Sequence, residues 1–298
     1  MPVPTRTRSS AAECRTRPAR AVHVLGELAT GRSGPAEDGL EFRLASVADG
    51  PGRPPYVERR TADTMAPHRA AEFLAGRRAL RSALGAAGAD APGLAGTGGP
   101  PRLPAGYVGS VSHSGGLAVA VAGRRDRYRA VGVDLELGEL PLSAAHLVLS
   151  RDELDRLRAG RPGADARRLL AAFSAKESAY KAIDVLLRER AGGLHTGPAL
   201  PGLRSLRLRP HPRGFLAQPA GCPAPVATVR VRAVPGGVLT WAVVSERSAE
   251  PPVVEDPFSD DPFDGDPFGE EMFGEEMFAV LPPAVPTAPH TRRPEEVR

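Results

Sequence analysis

The sequence predicts an α+β fold that ends in a disordered acidic C-terminal tail. Apolar residues recur at helical spacing over 66–87 and again over 165–190, and short strand-like runs follow each stretch. From Ser248 onward the pattern changes: Asp-Pro-Phe recurs at 256–258, 261–263 and 266–268, and Gly-Glu-Glu-Met-Phe at 269–273 and 274–278. Phenylalanines set among acids and prolines cannot bury enough surface to fold alone.

Taken in order, residues 1–20 are rich in Arg, Pro and Ser and read as a disordered arm. Short strands are expected near Ala21–Leu28 and Leu40–Ala45. Ala70, Phe73, Leu74, Leu80 and Leu84 line one face of the first helix, and Gly85 and Gly88 suit its end. Val108–Val111 is expected as a short strand, broken by Ser112-His113-Ser114-Gly115-Gly116. Leu117–Ala122 and Tyr128–Glu136 are expected to form a β-hairpin about Gly123-Arg-Arg-Asp-Arg. Leu142–Leu149 and Arg151–Arg158 read as helices, with Ser150 and Glu153 as a capping box. The long helix over 165–190 follows, then strands over 203–208, 226–234 and 237–244. The division expected is an arm at 1–20, halves at 21–135 and 136–248, and a tail at 249–298.

Composition narrows the function classes. The chain has 298 residues with 41% apolar, and its 33 Gly and 32 Pro point to unstructured stretches. No apolar run approaches the roughly 18 residues that cross a bilayer, and the Arg-rich start lacks a signal-peptide core. Two cysteines, Cys14 and Cys222, are too few for a disulfide framework or a zinc cage. The net charge of +4 hides an asymmetry: residues 249–298 hold 13 acids and 3 arginines, leaving 36 basic and 22 acidic residues, net +14. Such a body attracts an anionic partner, whether nucleic acid, nucleotide or acidic protein, or is simply a solvated Arg-rich surface. The only two lysines, Lys176 and Lys181, both lie in Phe173-Ser-Ala-Lys-Glu-Ser-Ala-Tyr-Lys181. Lysine is a compact charge that can release a proton, which arginine is not.

Three clusters can carry chemistry. On a strand, Asp134 and Glu136 share a face opposite Val133 and Leu135, where a hard cation would relieve their repulsion; the plain alternative is an exposed strand face. Glu177 and Lys181 lie four apart on one helix face, as a working pair or a surface ion pair. Ser112 and His113 can bind phosphate or serve turn chemistry alone. No Gly-x-Ser-x-Gly elbow, P-loop or dinucleotide fingerprint is present.

The order and spacing of Ser112-His113, Gly132-Val-Asp-Leu-Glu136 and Phe173–Lys181 resemble the 4′-phosphopantetheinyl transferases of the surfactin- and enterobactin-synthase type, over about residues 55–245. The resemblance implies a pseudo-dimer of two similar α/β halves. It implies a cytoplasmic, monomeric enzyme of secondary-metabolite biosynthesis that moves 4′-phosphopantetheine from coenzyme A to a serine of an acidic apo carrier protein with Mg²⁺, releasing 3′,5′-ADP. Neither nucleic acid nor membrane is a partner. By the same resemblance Asp134, Glu136 and Glu177 hold the metal. Glu177 and Lys181 are catalytic, as base and as neutraliser of the leaving group. Arg69, Arg77, Ser112, His113 and Lys176 bind coenzyme A. The chain departs from the family at Thr97-Gly-Gly-Pro-Pro101, which lacks the usual basic residue that Arg102 would replace, and at Phe173, where some relatives carry Trp. A metal-dependent phosphohydrolase and an inactive module recruiting partners through its tail are the alternatives.

Overall fold

Small residues on one face of a strand let a helix settle against it, and the chain uses this device twice. The computed structural model describes residues 39–96, 100–159, 165–191, 199–212, 214–222 and 225–245. The expected arm, the strand near Ala21–Leu28 and the acidic tail lie outside them. In the first half, β1 (Glu41–Ser46), β2 (Tyr107–Ser114) and β3 (Leu117–Arg124) form an antiparallel sheet in the order β1-β3-β2. Helix α1 (Tyr56–Ala62) precedes α2 (Pro67–Ala86), which lies on this sheet. Ala118, Ala120 and Ala122 of β3 meet Ala75, Ala79, Leu80, Ala83 and Leu84 of α2, all buried.

The second sheet runs β4-β8-β7-β6-β5, from β4 (Tyr128–Leu137), β5 (Leu206–His211), β6 (Gly214–Pro219), β7 (Ala227–Val234) and β8 (Gly237–Ser245). Two short helices, α3 (Ala145–Val148) and α4 (Arg151–Ala159), lead into α5 (Asp165–Arg190), which lies across β4, β8 and β7. The capping box forms at α4: Ser150 N donates to Glu153 Oε2 at 2.7 Å and Glu153 N to Ser150 Oγ at 3.4 Å. The order β1, α2 and β2–β3 hairpin recurs in β4, α5 and the β7–β8 hairpin, the last strand of each hairpin lying between the other two, while the β5–β6 hairpin extends the second sheet.

The faces turned away from the helices share an apolar layer. Val119 and Val121 of β3, Val131, Val133 and Leu135 of β4, and Leu239 and Trp241 of β8 fill it. Phe42 meets Trp241 edge to face, with centroids 5.4 Å apart. Beside this layer β2 and β4 run next to each other without forming one sheet. Serine side chains bridge them: Val133 N donates to Ser110 Oγ at 3.1 Å and Leu137 N to Ser114 Oγ at 2.9 Å.

Three expectations are corrected. The hairpin expected over 117–136 does not form, because β3 pairs with β1 and β2 whereas β4 pairs with β8. The hairpin present is β2–β3, turning at Gly115 and Gly116, whose φ angles of 58° and 79° suit the two-residue turn that matches strand twist. Ser112 and His113 therefore lie on a continuous strand, not in a broken loop. The division expected at 135/136 falls inside β4, and the chain changes sheets before Tyr128.

Candidate active site

Glycine decides how closely α5 approaches β4. A Cβ on Gly132 would lie 1.9 Å from the Ser178 carbonyl oxygen, so only glycine lets the helix pack at this depth. Asp134 and Glu136 share the face of Gly132, as the strand repeat requires, while Val133 and Leu135 fill the apolar layer. Asp134 therefore faces buried hydroxyls and is itself only 2% exposed.

Asp134 ties together β2, β4 and α5. Its Oδ1 accepts from Ser112 Oγ at 2.9 Å and from Lys181 Nζ at 2.7 Å, and its Oδ2 accepts from Ser174 Oγ at 2.8 Å. Lys181 also donates to the Val133 carbonyl at 3.0 Å and to Ser112 Oγ at 3.3 Å. Thr240 Oγ1 donates to the Ser174 carbonyl at 2.8 Å and lies 3.0 Å from the Ser174 and Ser178 hydroxyls. Ser174 lies inside the lysine-bearing motif, so its part was within reach of the sequence. Thr240 gave no local signal, since it meets Asp134 only through the pairing of β4 with β8.

Two further carboxylates feel this centre. Burial, then the charge of Asp134, pushes the Glu136 carboxyl up to about 7; Glu177 adds to the rise and Lys181 opposes it. Burial likewise raises Glu177, with Lys181 opposing and Asp134 adding. Among the described residues no three His, Cys, Asp or Glu groups stand close enough to close around a metal ion as they are. The donor chemistry does fit one. Hard carboxylate oxygens, with Glu136 and Glu177 resisting ionisation through burial and the charge of Asp134, present the condition a divalent cation relieves.

His113 points toward α2, where Gly76 makes room: a Cβ there would lie 2.2 Å from Nε2. Its Nε2 is buried with no hydrogen-bond partner among the described residues. Burial lowers its pKa, Glu72 opposes, and Lys181 and Arg69 add to the lowering, so the imidazole is neutral at pH 7. Arg69 is exposed on α2 and pairs with Glu72 at 3.3 Å.

Two of the residues expected at coenzyme A lie elsewhere. Lys176 is fully buried and donates to the Val148 carbonyl (3.0 Å), Glu153 Oε2 (2.7 Å) and the Leu206 carbonyl (3.0 Å), joining α3, α4, α5 and β5. Its side chain is fully shielded from solvent, so a phosphate has no access to the ammonium, whereas the Lys181 side chain is 27% exposed. Arg77 is 5% exposed, stacks on Phe73 at 4.8 Å and donates to the Gly96 carbonyl at 3.0 Å. Its surroundings are Glu58 and Arg81, inside the first half. Arg102 precedes β2, at the strand end remote from Ser112, where it lines a cleft with Tyr107, Val108 and Arg125.

Comparison with known proteins agrees with this geometry. The model of the 4′-phosphopantetheinyl transferase N-terminal domain matches residues 57–123, and that of the 4′-phosphopantetheinyl transferase superfamily matches 130–216, together just over half of the chain. The chain is 39% identical over 120 residues to 4′-phosphopantetheinyl transferase PptT of Mycobacterium tuberculosis, covering 37% of this chain and 49% of that protein. It is 40% identical over 121 residues to 4′-phosphopantetheinyl transferase Svp of Streptomyces mobaraensis, covering 39% and 48%. The matched region thus spans about half the length of these relatives. The six residues left between the two matches, 124–129, carry the chain from the end of β3 in one sheet to the start of β4 in the other. The chain belongs to the 4′-phosphopantetheinyl transferase superfamily.

Proposed function

We propose that this chain transfers 4′-phosphopantetheine from coenzyme A to a serine hydroxyl of an acidic apo carrier protein, releasing 3′,5′-ADP. The observation that carries the reading is Asp134, a buried carboxylate held at once by Ser112 and Lys181, beside Glu136 and Glu177, which burial and then its charge raise. Family membership supports this reaction, and both relatives are named 4′-phosphopantetheinyl transferases. The shared strand–helix–hairpin plan supports reading the two halves as a pseudo-dimer, one on each side of the change of sheets.

Asp134, Glu136 and Glu177 would hold Mg²⁺. When bound, the cation neutralises charge on the diphosphate. The serine oxygen attacks the β-phosphorus, the bond from that phosphorus to the 3′,5′-ADP oxygen breaks, and the serine proton passes to Glu177. A carboxyl with a raised pKa is suited to that transfer. Lys181 neutralises the departing phosphate, and Asp134 and the Val133 carbonyl aim it. His113 and Arg69 contact the phosphates of coenzyme A, and Ser112, whose proton goes to Asp134, holds that carboxylate in place. The net charge of +14 outside residues 249–298 favours an acidic protein substrate by steering its approach. No helix among the described residues is long and apolar enough to cross a membrane.

The test incubates the full chain with coenzyme A, Mg²⁺ and an apo carrier protein and reads the carrier's mass. A gain of one phosphopantetheine, lost in Glu177→Gln while coenzyme A still binds, is expected. Free phosphate without carrier modification, or no turnover, overturns the proposal.

A further inference from the structure

The two oxygens of Asp134 face different surroundings. Oδ1 accepts from Ser112 and from Lys181, whose side chain is partly open to solvent. Oδ2 accepts from Ser174, on a side where Ser174, Ser178 and Thr240 are all fully buried. These three hydroxyls lie out of reach of a substrate, and no step of the transfer touches them.

Strand register builds the cluster. Thr240 stands directly opposite Asp134 in the β4–β8 pairing, so both side chains leave the sheet on the face that α5 covers. Helix α5 sets Ser174 between them, its Oγ 2.8 Å from Asp134 Oδ2 and 3.0 Å from Thr240 Oγ1. Each hydroxyl carries a single proton. That of Ser174 goes to the carboxylate, and that of Ser178 to the Ala175 carbonyl at 3.1 Å. Thr240 is therefore the donor where the three meet, and its bond of 2.8 Å goes to the Ser174 carbonyl. A hydroxyl inside a helix ordinarily turns back on a carbonyl three or four residues earlier, as Ser178 does. Ser174 points at Asp134 instead, with Thr240 against both of its oxygens.

We propose that Thr240 is a positioning residue for the transfer, acting through Ser174. It keeps Ser174 in the rotamer that fixes Asp134 Oδ2, and so sets where Oδ1 holds Lys181. Its β-branched side chain is stiff about χ1, and its backbone is fixed by pairing on β8 with both β4 and β7. The centre of the sheet, rather than the helix, thus sets the aim of the carboxylate. Without the Thr240 hydroxyl, Ser174 is free to turn back on its own helix, which leaves Oδ2 buried without this donor and Asp134 free to swivel under Lys181. The effect on rate rests on the transferase reading; the geometry does not.

The test compares three variants of the full chain: Thr240→Val, which keeps the shape and removes the hydroxyl, Thr240→Ser, which keeps the hydroxyl, and Ser174→Ala. In the carrier assay Thr240→Val and Ser174→Ala should each lower kcat about tenfold, equivalent to about 1.4 kcal/mol and of the order of one buried hydrogen bond, with KM for coenzyme A little changed. Thr240→Ser should regain most of the rate, and the double variant should be no slower than Ser174→Ala alone, as residues acting in series require. The second readout needs neither metal nor turnover: amines of the metal-free protein are acetylated with N-hydroxysuccinimidyl acetate and located by mass spectrometry. Lys176 and Lys181 are the only lysines, and Lys176 is shielded, so the rate at Lys181 reports how firmly Asp134 holds it. That rate should rise severalfold in Thr240→Val and Ser174→Ala and stay near the native rate in Thr240→Ser. A native kcat or native labelling in Thr240→Val overturns the proposal. So does faster labelling of Lys176 together with Lys181, which would make the cluster a stability element alone. Should the native chain fail to modify a carrier, the labelling by itself decides whether Thr240 fixes Lys181, so the two readings fail separately.

Discussion

Replacing Lys176 with methionine separates its observed place in the fold from the phosphate contact that the motif led us to expect. Methionine keeps the length and apolar volume and removes the ammonium. Two carbonyls, of Val148 and Leu206, lose their donor, and Glu153 keeps its charge in a place where its side chain is 8% exposed. Orphaned carbonyls cost about 1 kcal/mol or more each, and breaking a buried ion pair from one side costs about 3–5 kcal/mol in all. For a folded body of this size each kcal/mol lowers Tm by about 2–4 °C, so a fall of about 10 °C is expected. Urea and thermal unfolding by circular dichroism measure it. Lys176→Met/Glu153→Gln should regain part of the loss, since it removes the stranded charge while the amide still accepts from Leu208 N, which now donates to Glu153 Oε1 at 2.9 Å. An unchanged Tm together with lost coenzyme A affinity would refute the structural role and return Lys176 to the phosphate.

Other predictions follow from the same geometry. Gly132→Ala must push α5 from β4, costing about 2–3 kcal/mol and moving Glu177 and Lys181; calorimetry and the carrier assay should fall together. In metal-free protein Glu136, normally near 4.5 and here about 7, keeps its proton when folded. Its contribution to stability is full below pH 4.5 and is lost as pH rises through 7. Glu136→Gln should therefore gain in Tm over the native chain as pH climbs from 5 to 8, and a flat difference would contradict the shift. Lys181→Met should lower kcat while leaving Asp134 in place through Ser112 and Ser174; retention of full kcat would remove Lys181 from catalysis.

The elements that local spacing can encode were legible. The 66–87 and 165–190 helices match α2 and α5 within a residue at each end, and the Ser150–Glu153 cap is present. The shared face of Asp134 and Glu136 follows from strand alternation alone. What failed was non-local. Gly123-Arg-Arg-Asp-Arg reads like a hairpin turn, yet β4 finds its partner in β8, more than a hundred residues later. Helix α1 and strand β6 are short, and Pro210, Pro212 and Gly214 obscure the β5–β6 hairpin. The scarcity of lysine marked the right segment for two different reasons. Lys181 reaches Asp134, whereas Lys176, on another face of α5, supplies three bonds to the interior.

The serine bridges between β2 and β4 bear on how the molecule breathes and what it refuses. Each strand is the rim of its own sheet, and an uncovered rim invites a foreign strand to add. Here each rim shields its neighbour, so stray polymerisation through these borders is blocked. Each fastening is a β4 peptide N–H on a serine hydroxyl, Val133 on Ser110 and Leu137 on Ser114, so widening the border strands those two amides at about 1–3 kcal/mol each.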